Sequence, residues 1–211
     1  MVKELKIPDA TIERVALYLR PLETLLKNGT QVISSEKLAE ICDVNPAQVR
    51  KDLSFFGEFG VRGVGYEVND LLKEIKRILA SDREWRLGIV GMDDMGMALV
   101  QHKNFQQRGY RFIAAFDSKP QNIGKRLPMG LVIQPVSRLK ELAKELRIEI
   151  GVITTPPFEA QRIADLFFEA GIMAVLNFSS DYLRKPDCCL VQNVDFTLNL
   201  DHLAYELSKI D

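Results

Sequence analysis

Histidine is scarce in this 211-residue chain, where His102 and His202 are the only two. With so few, neither a histidine-rich metal centre nor a Ser-His-Asp arrangement has the residues it needs, and hydride-transfer chemistry would have only these two imidazoles to serve as proton donor or acceptor. Cysteine is nearly as sparse. Cys42 and the adjacent Cys188 and Cys189 make neither an even disulfide framework nor a CxxC zinc spacing, so reduced thiols are expected, with a vicinal-pair redox switch as the alternative. No apolar run reaches the roughly 18 residues of a membrane span, and MVKELKIPDA lacks the apolar stretch of a secretion signal, so a cytoplasmic protein with no membrane partner is expected. An excess of one charge is missing too. The formal net charge is −1, and residues 1–80 hold 12 Lys+Arg against 12 Asp+Glu. Any contact with DNA must therefore use a locally placed basic surface.

At 46% hydrophobic and 27% charged, the chain has enough apolar material for one large domain or two smaller ones. Residues 9 to about 80 follow a helical period. TIERVALYLRPLETLLKNG sets Ile12, Val15, Leu19, Leu22, Leu25 and Leu26 on one stripe, with Gly29 as C-cap and a bend or restart expected at Pro21. SSEKLAEICDV opens on Ser35 as N-cap and is expected to bury Leu38, Ala39 and Ile41. NPAQVRKDLSFF opens on Asn45 as N-cap with Pro46 in first helical position. These two short helices joined by a tight turn resemble a helix-turn-helix. GEFGVRGVGYEV reads as two short strands about a turn, a β-wing, and NDLLKEIKRILA (69–80) closes the domain with a helix.

After a linker at 81–85 the period changes. RLGIVGM, RFIAAFD, LVIQP, EIGVITTP and MAVLNF are short apolar runs separated by helical segments such as VSRLKELAKEL. That alternation implies an α/β fold, a Rossmann-like, doubly wound parallel sheet over 86–195. The remaining 196–211 forms an amphipathic helix with Leu200, Leu203, Leu207 and Ile210 on its stripe and Tyr205 nearby. A neighbouring subunit is the natural surface for it to cover.

Two stretches carry chemistry. In the second helix of the pair, Gln48, Lys51 and Asp52 are expected on a face distinct from Val49, Leu53 and Phe56, with Arg50 and Ser54 extending the polar surface. Such a helix can enter the major groove, where Arg and Lys donate to guanine, Gln pairs with adenine and Ser reaches phosphate, while Arg62 at the wing tip probes the minor groove. A solvated helix beside a Gly-rich hairpin is the plainer alternative.

The second stretch is Gly91-Met92-Asp93-Asp94-Met95-Gly96. It has the first and third glycines of a dinucleotide turn and an aspartate in place of the second. Asp117 follows Gly91 by 26 residues at the end of a strand, placed to accept from an adenosine ribose and to favour NAD over NADP. An Asp93 carboxylate about 4 Å from a phosphate would cost on the order of 4 kcal/mol, roughly a thousandfold in affinity. One expectation is that Asp93 or Asp94 caps the following helix and so takes the place of the ligand's anion. The other is that the turn shifts and binds the pyrophosphate with help from Lys119 or Lys125.

NPAQVRKDLSFFGEFGVRGVGYEV closely resembles the winged-helix signature of the Rex family of redox-sensing transcriptional repressors. IPDATIERVALYLRPLETLL, AAFDSKP, EAGIMAVLNF and VQNVDFTLNLDHLAYEL extend the resemblance over nearly the whole chain. It implies an N-terminal winged helix-turn-helix (1–80) and a Rossmann-like domain, with the terminal helix (196–211) exchanged in a homodimer. It also implies a palindromic operator as DNA partner, and NADH or NAD⁺ as effector, with NADH releasing DNA. DNA reading falls to Gln48, Arg50, Lys51 and Ser54, and the wing to Arg62, Gly63 and Tyr66. Val61 stands where many members have lysine, which removes one phosphate contact.

NAD(H) binding falls to Gly91, Met92, Asp93, Asp94, Met95, Gly96, Asp117 and Lys119. Thr154, Thr155 and Pro156 are placed at the nicotinamide pocket, and Asn177, Phe178 and Ser179 at the end of the next strand. Arg20 and Asp195 match residues that couple nicotinamide state to domain position. His102 stands where the family has a tyrosine, either as a pH-sensitive element or as a plain surface residue. No catalytic residue or metal ligand is expected. The rivals are a relative whose NAD(H) response Asp93 has weakened or abolished, an NAD-dependent dehydrogenase, and a nucleotide-independent architectural protein.

Overall fold

In a computed structural model of the chain, which describes residues 7–61, 63–128 and 130–210, the polypeptide divides into two compact units, Met1–Arg83 and Glu84–Asp211. The first is built from α1 (Asp9–Lys27), β1 (Val32–Ile33), α2 (Ser35–Cys42), α3 (Pro46–Ser54), β2 (Tyr66–Glu67) and α4 (Val68–Ile78). α1 runs unbroken through Pro21 without the expected restart. The ring removes the bond to the carbonyl of Leu17, which lies on the exposed side of the helix where water can replace it. Gly29, at φ +78°, and Thr30 then close the helix by donating to the carbonyls of Leu26 and Leu25.

Ser34, not Ser35, caps α2, accepting from the Lys37 amide, and Ile41 is exposed rather than buried. Asn45 caps α3 by accepting from the Ala47 amide, and Pro46 is its first residue. Among the described residues, the region expected as a two-stranded wing holds a bridge between Val61 and Gly65, and β2 pairs with β1, Ile33 opposite Tyr66. Val15, Tyr18, Leu22, Leu38, Val49, Leu53, Val68 and Ile75 make up the centre of one apolar core.

Asp52 departs from its expected place on the polar face of α3. It is fully buried, because position 52 belongs to the same stripe as Val49, Leu53 and Phe56 at spacings of three and four. Arg14 from α1 donates to both carboxylate oxygens at 2.7 and 2.8 Å, and the Tyr18 hydroxyl donates at 2.8 Å. Burial by itself would push the Asp52 carboxyl up. Hydrogen bonds from Arg14, Gln48 and Tyr18, with the guanidinium charge, outweigh it and hold the group below the usual carboxylate range.

The second unit holds β3 (Trp85–Val90), α5 (Asp94–Gln101), α6 (Lys103–Gln107), β4 (Tyr110–Asp117), β5 (Ile133–Pro135), α7 (Leu139–Glu145), β6 (Ile150–Ile153), α8 (Pro157–Glu169), β7 (Ala174–Asn177), β8 (Leu190–Asn193) and α9 (Phe196–Leu207). Its strands form one parallel sheet in the order β5-β4-β3-β6-β7-β8. Counted within the sheet this is 3-2-1-4-5-6, the dinucleotide-fold order, with a topological switch point between β3 and β6. One face packs against α7 and α8 through Phe116, Leu139, Ile163 and Phe167, and the other against α5 through Leu87, Ile89 and Val100. β8 escaped the pattern reading because its alternating exposed and half-buried residues, Leu190–Asn193, form no continuous apolar run.

Removing the Asp52 carboxylate strands a partly buried guanidinium and a buried phenol, so Asp52→Ala is expected to destabilise the first unit by about 3–5 kcal/mol. Because the carboxyl is held low, its contribution is fully present above about pH 4 and is lost as pH falls further. Denaturant unfolding from pH 7 to pH 3 should show Asp52→Asn with a flatter acid limb than wild type; parallel limbs would contradict this.

Candidate functional site

Along α3, Arg50, Lys51 and Ser54 are exposed and Gln48 half-buried. The Ser54 hydroxyl donates to the Lys51 carbonyl, while Arg50 Nη1 donates to Ser35 Oγ at 2.7 Å and to Glu36 at 3.1 Å. Such exposed pairing is worth about 0–1 kcal/mol and gives way readily to a stronger acceptor. A groove of about 860 Å³ lies between α3, the start of α2 and the wing, and it brings Arg50, Ser54 and Gly63 together. Gly63 forms the exposed wing tip at φ +81°, and Arg62 lies outside the described residues. Tyr66 lines the floor of this groove and not its rim. It is buried in the core opposite Ile33, held there because Gly65 lets the backbone come so near Ile33 that a Cβ would lie 2.4 Å from its carbonyl oxygen.

The second constellation stands at the carboxyl ends of the strands, on the switch point. Gly91 takes φ +100°, and a Cβ on it would lie 2.7 Å from the Thr154 backbone. A Cβ on Gly96 would come within 1.9 Å of the Gly91 carbonyl oxygen. These are the tight bend and the close helix–strand approach for which the first and third glycines are needed. Asp93, in the second position, has φ −79° and ψ −167°. That extended conformation suits any residue, so the loss of glycine there strains nothing.

Asp93 is the N-cap of α5 by position, but its side chain makes no capping hydrogen bond, so Asp93 does not act as an internal anion on the helix amides. Its carboxylate instead pairs with Lys119 Nζ. Lys119, with its own pKa raised chiefly by that hydrogen bond, is the lysine that meets Asp93; Lys125 donates to Asn122. Met92 is buried in the core and offers the site only main chain. Asp94 and Met95 are exposed in the first turn of the helix. Asp117 is buried and braces the turn, accepting from the Met92 and Lys119 amides at 2.8 Å and from Asn122 Nδ2 at 3.0 Å.

At the end of β6, Thr154 Oγ1 donates to the carbonyls of Val90 and Gly91, closing the switch point. Thr155 Oγ1 is buried with no hydrogen-bond partner, and Pro156 leads into α8. Asn177, at the end of β7, donates to the Ser179 and Asp181 carbonyls and the Asn193 side chain and accepts from the Ser179 amide, tying β7 to β8. Asp195 caps α9 by accepting from the Thr197 amide, while Arg20 is exposed on α1. His102 is an exposed joint between α5 and α6, its Nδ1 accepting from the Asn104 amide. The Cys188 and Cys189 sulfurs lie 3.8 Å apart as thiols. Among the described residues no metal-ligand cluster is present, and no helix is long and apolar enough to cross a membrane.

Sequence reasoning passed over Arg14, which is half-buried, and set Asp52 on the polar face although it is fully buried. The Asp93–Lys119 pair left no local signal, since 26 residues separate its members.

Two family models match the chain: one described as "Putative DNA-binding protein N-terminus" over residues 6–54 and one described as "CoA binding domain" over residues 82–180. The redox-sensing transcriptional repressor Rex of Syntrophobacter fumaroxidans is 54% identical over 207 residues, covering 98% of this chain and 99% of that protein. The repressor of the same name from Maridesulfovibrio salexigens is 45% identical over 210 residues, covering 100% of both. Among solved structures, RSP in complex with β-NAD⁺ and operator DNA superposes with a TM-score of 0.91 at 32% identity, over 96% of this chain and 93% of that one. RSP in complex with β-NADH gives a TM-score of 0.88 at 31% identity, over 97% and 95%.

The close approach of Gly96 to Gly91 is directly testable. Gly96→Ala must force α5 off the end of β3, and a destabilisation of about 3 kcal/mol or more is expected for the second unit in denaturant unfolding. A change below about 0.5 kcal/mol, the scale of a surface substitution, would contradict the close approach.

Proposed function

The chain belongs to the Rex family of redox-sensing transcriptional repressors, and from that premise we propose that its first unit binds operator DNA while its second holds NAD(H) at the Gly91–Gly96 turn. It is a repressor and not an enzyme; NADH binding releases the operator, and the NADH/NAD⁺ ratio is the quantity sensed. One observation carries the ligand assignment. The glycine turn stands at the switch point, and Asp93 at the N-cap of α5 makes no side-chain capping bond, so main-chain donors and the positive end of the helix face the place a pyrophosphate would occupy.

The residues present fit that ligand. Asp117 uses three of its roughly four acceptor positions inside the protein, which leaves one for a ribose hydroxyl and a buried charge opposed to a 2′-phosphate. The orphaned Thr155 hydroxyl is a group that a polar ligand atom would satisfy. Lys119 offsets the charge of Asp93, and this supports a working sensor over a disabled one. NAD(H) supplies the signal through its nicotinamide state; the protein's part is to bind the two states with different affinity, without which no shift follows.

We assign DNA contact to 1–80 through Gln48, Arg50, Lys51, Ser54 and Gly63, and dinucleotide binding to 86–195. Arg20 and Asp195 keep the coupling role the resemblance implies. The α9 helix buries none of its residues, and Phe196, Leu200, Leu203 and Leu207 stand exposed on it. A second copy of the chain is the partner that would cover them, giving a homodimer whose two winged helices match a palindrome. The cytoplasm is the compartment that suits such a regulator.

Arg50→Ala is expected to weaken binding to a palindromic operator about fivefold or more, the worth of one base-reading arginine. Fluorescence anisotropy reads this, and undiminished affinity would remove Arg50 from the interface. In calorimetric titrations with NADH, Asp93→Gly should bind more tightly than wild type. Lys119→Ala should weaken binding, on the order of tenfold when Asp93 is present and less in the Asp93→Gly background. Additive effects would show that the two side chains act independently.

A further inference from the structure

The buried ionic network of the first unit has a member that stability alone does not require. Asp52 Oδ2 accepts from Arg14 Nε and the Tyr18 hydroxyl, while Oδ1 accepts from Arg14 Nη2 and from Gln48 Nε2, the last at 2.8 Å. Arg14 and Tyr18, both on α1, would by themselves satisfy a structural carboxylate. Gln48 is different, because it stands half-exposed one helical turn before Asp52 and is itself among the residues assigned to DNA contact.

A carboxylate can only accept. Gln48 must therefore turn its NH₂ toward Asp52 and its Oε1 outward, and among the described residues no hydrogen bond to that oxygen is made. Of the two amide protons one is taken by Asp52, which leaves the other available. Adenine presents the complementary pair in the major groove, an N6 donor and an N7 acceptor. Guanine and thymine would set O6 or O4, both acceptors, against the outward oxygen. A glutamine free to flip would lose this distinction, since its amide can turn either end outward.

We infer that Asp52 is a positioning residue for base readout: it fixes the Gln48 carboxamide in one orientation and so makes one position in each operator half-site an adenine. The network ties that orientation to α1, because the carboxylate is itself held by Arg14 and Tyr18. The inference rests on the repressor reading, and its test separates the two.

Wild-type and variant chains are each enriched against a pool of duplexes randomised over the operator length. Affinities are then measured for the wild-type palindrome and for its symmetric single-base substitutions. Gln48→Ala is expected to reduce the adenine preference at one position per half-site about fivefold or more. Asp52→Asn, whose carboxamide can face either end of the Gln48 amide, should flatten that same position and leave the ranking at the others. The double variant should lose no more discrimination than Gln48→Ala alone.

Tyr18→Phe removes a different hydrogen bond from the same carboxylate. It should lower the melting temperature while keeping the adenine preference, which separates orientation from stability. Should Asp52→Asn not fold, Asp52→Glu takes its place, since it keeps the charge for Arg14 but moves the carboxylate by one methylene. An unchanged adenine preference in the Asp52 variant, equal weakening at every base, or additive losses in the double variant would overturn the inference. If the wild-type chain enriches no palindrome at all, the repressor reading fails and the inference falls with it.

Discussion

Between the end of β3 and the start of α5 there is no room for a single carbon atom: a Cβ on Gly96 would sit 1.9 Å from the carbonyl oxygen of Gly91. That approach sets the first turn of α5 directly over the switch point, where Thr154 closes the opposite side through the carbonyls of Val90 and Gly91. Asp117 reaches across from β4 to the Met92 amide and stiffens the same loop. The bend so formed is fixed by the close backbone approaches at its two glycines, which is why it can tolerate an aspartate in the second position. What the backbone needs there is an extended residue, and glycine has no monopoly on that.

Charge decides the rest of the site. A bare carboxylate next to a pyrophosphate would defeat binding, whereas a carboxylate already paired with Lys119 has its charge offset. The first unit treats its charges in the same manner. Its net balance is zero, its buried carboxylate is matched by Arg14, and its exposed arginine, Arg50, rests on Ser35 and Glu36 until a better acceptor arrives. Local pairing thus allows a chain of formal charge −1 to approach two polyanions, DNA and a dinucleotide.

Where the sequence was legible, one residue type met one geometric demand. Asn45 followed by Pro46 marked the start of α3, and Gly91 and Gly96 marked the turn. Apolar runs of four to eight residues placed β3, β4, β6 and β7. Where it was not, polarity or distance hid the answer. Asp52 was judged by its charge although its position lies on the apolar stripe, and Tyr66 by its neighbours in the wing although it pairs with Ile33, more than 30 residues earlier. β8 lacks an apolar run, and nothing local joins Asp93 to Lys119. Each of these depends on a partner that only the folded chain brings near.

The claim that a dinucleotide at the switch point governs the DNA-binding unit is tested most directly by titrating the wild-type chain, bound to a labelled palindromic operator, with NADH and separately with NAD⁺ while following anisotropy. The account predicts release by NADH at concentrations where NAD⁺ leaves most of the complex intact. Retention of the operator after the site has been saturated with NADH, or equal release by the two dinucleotides, would contradict it.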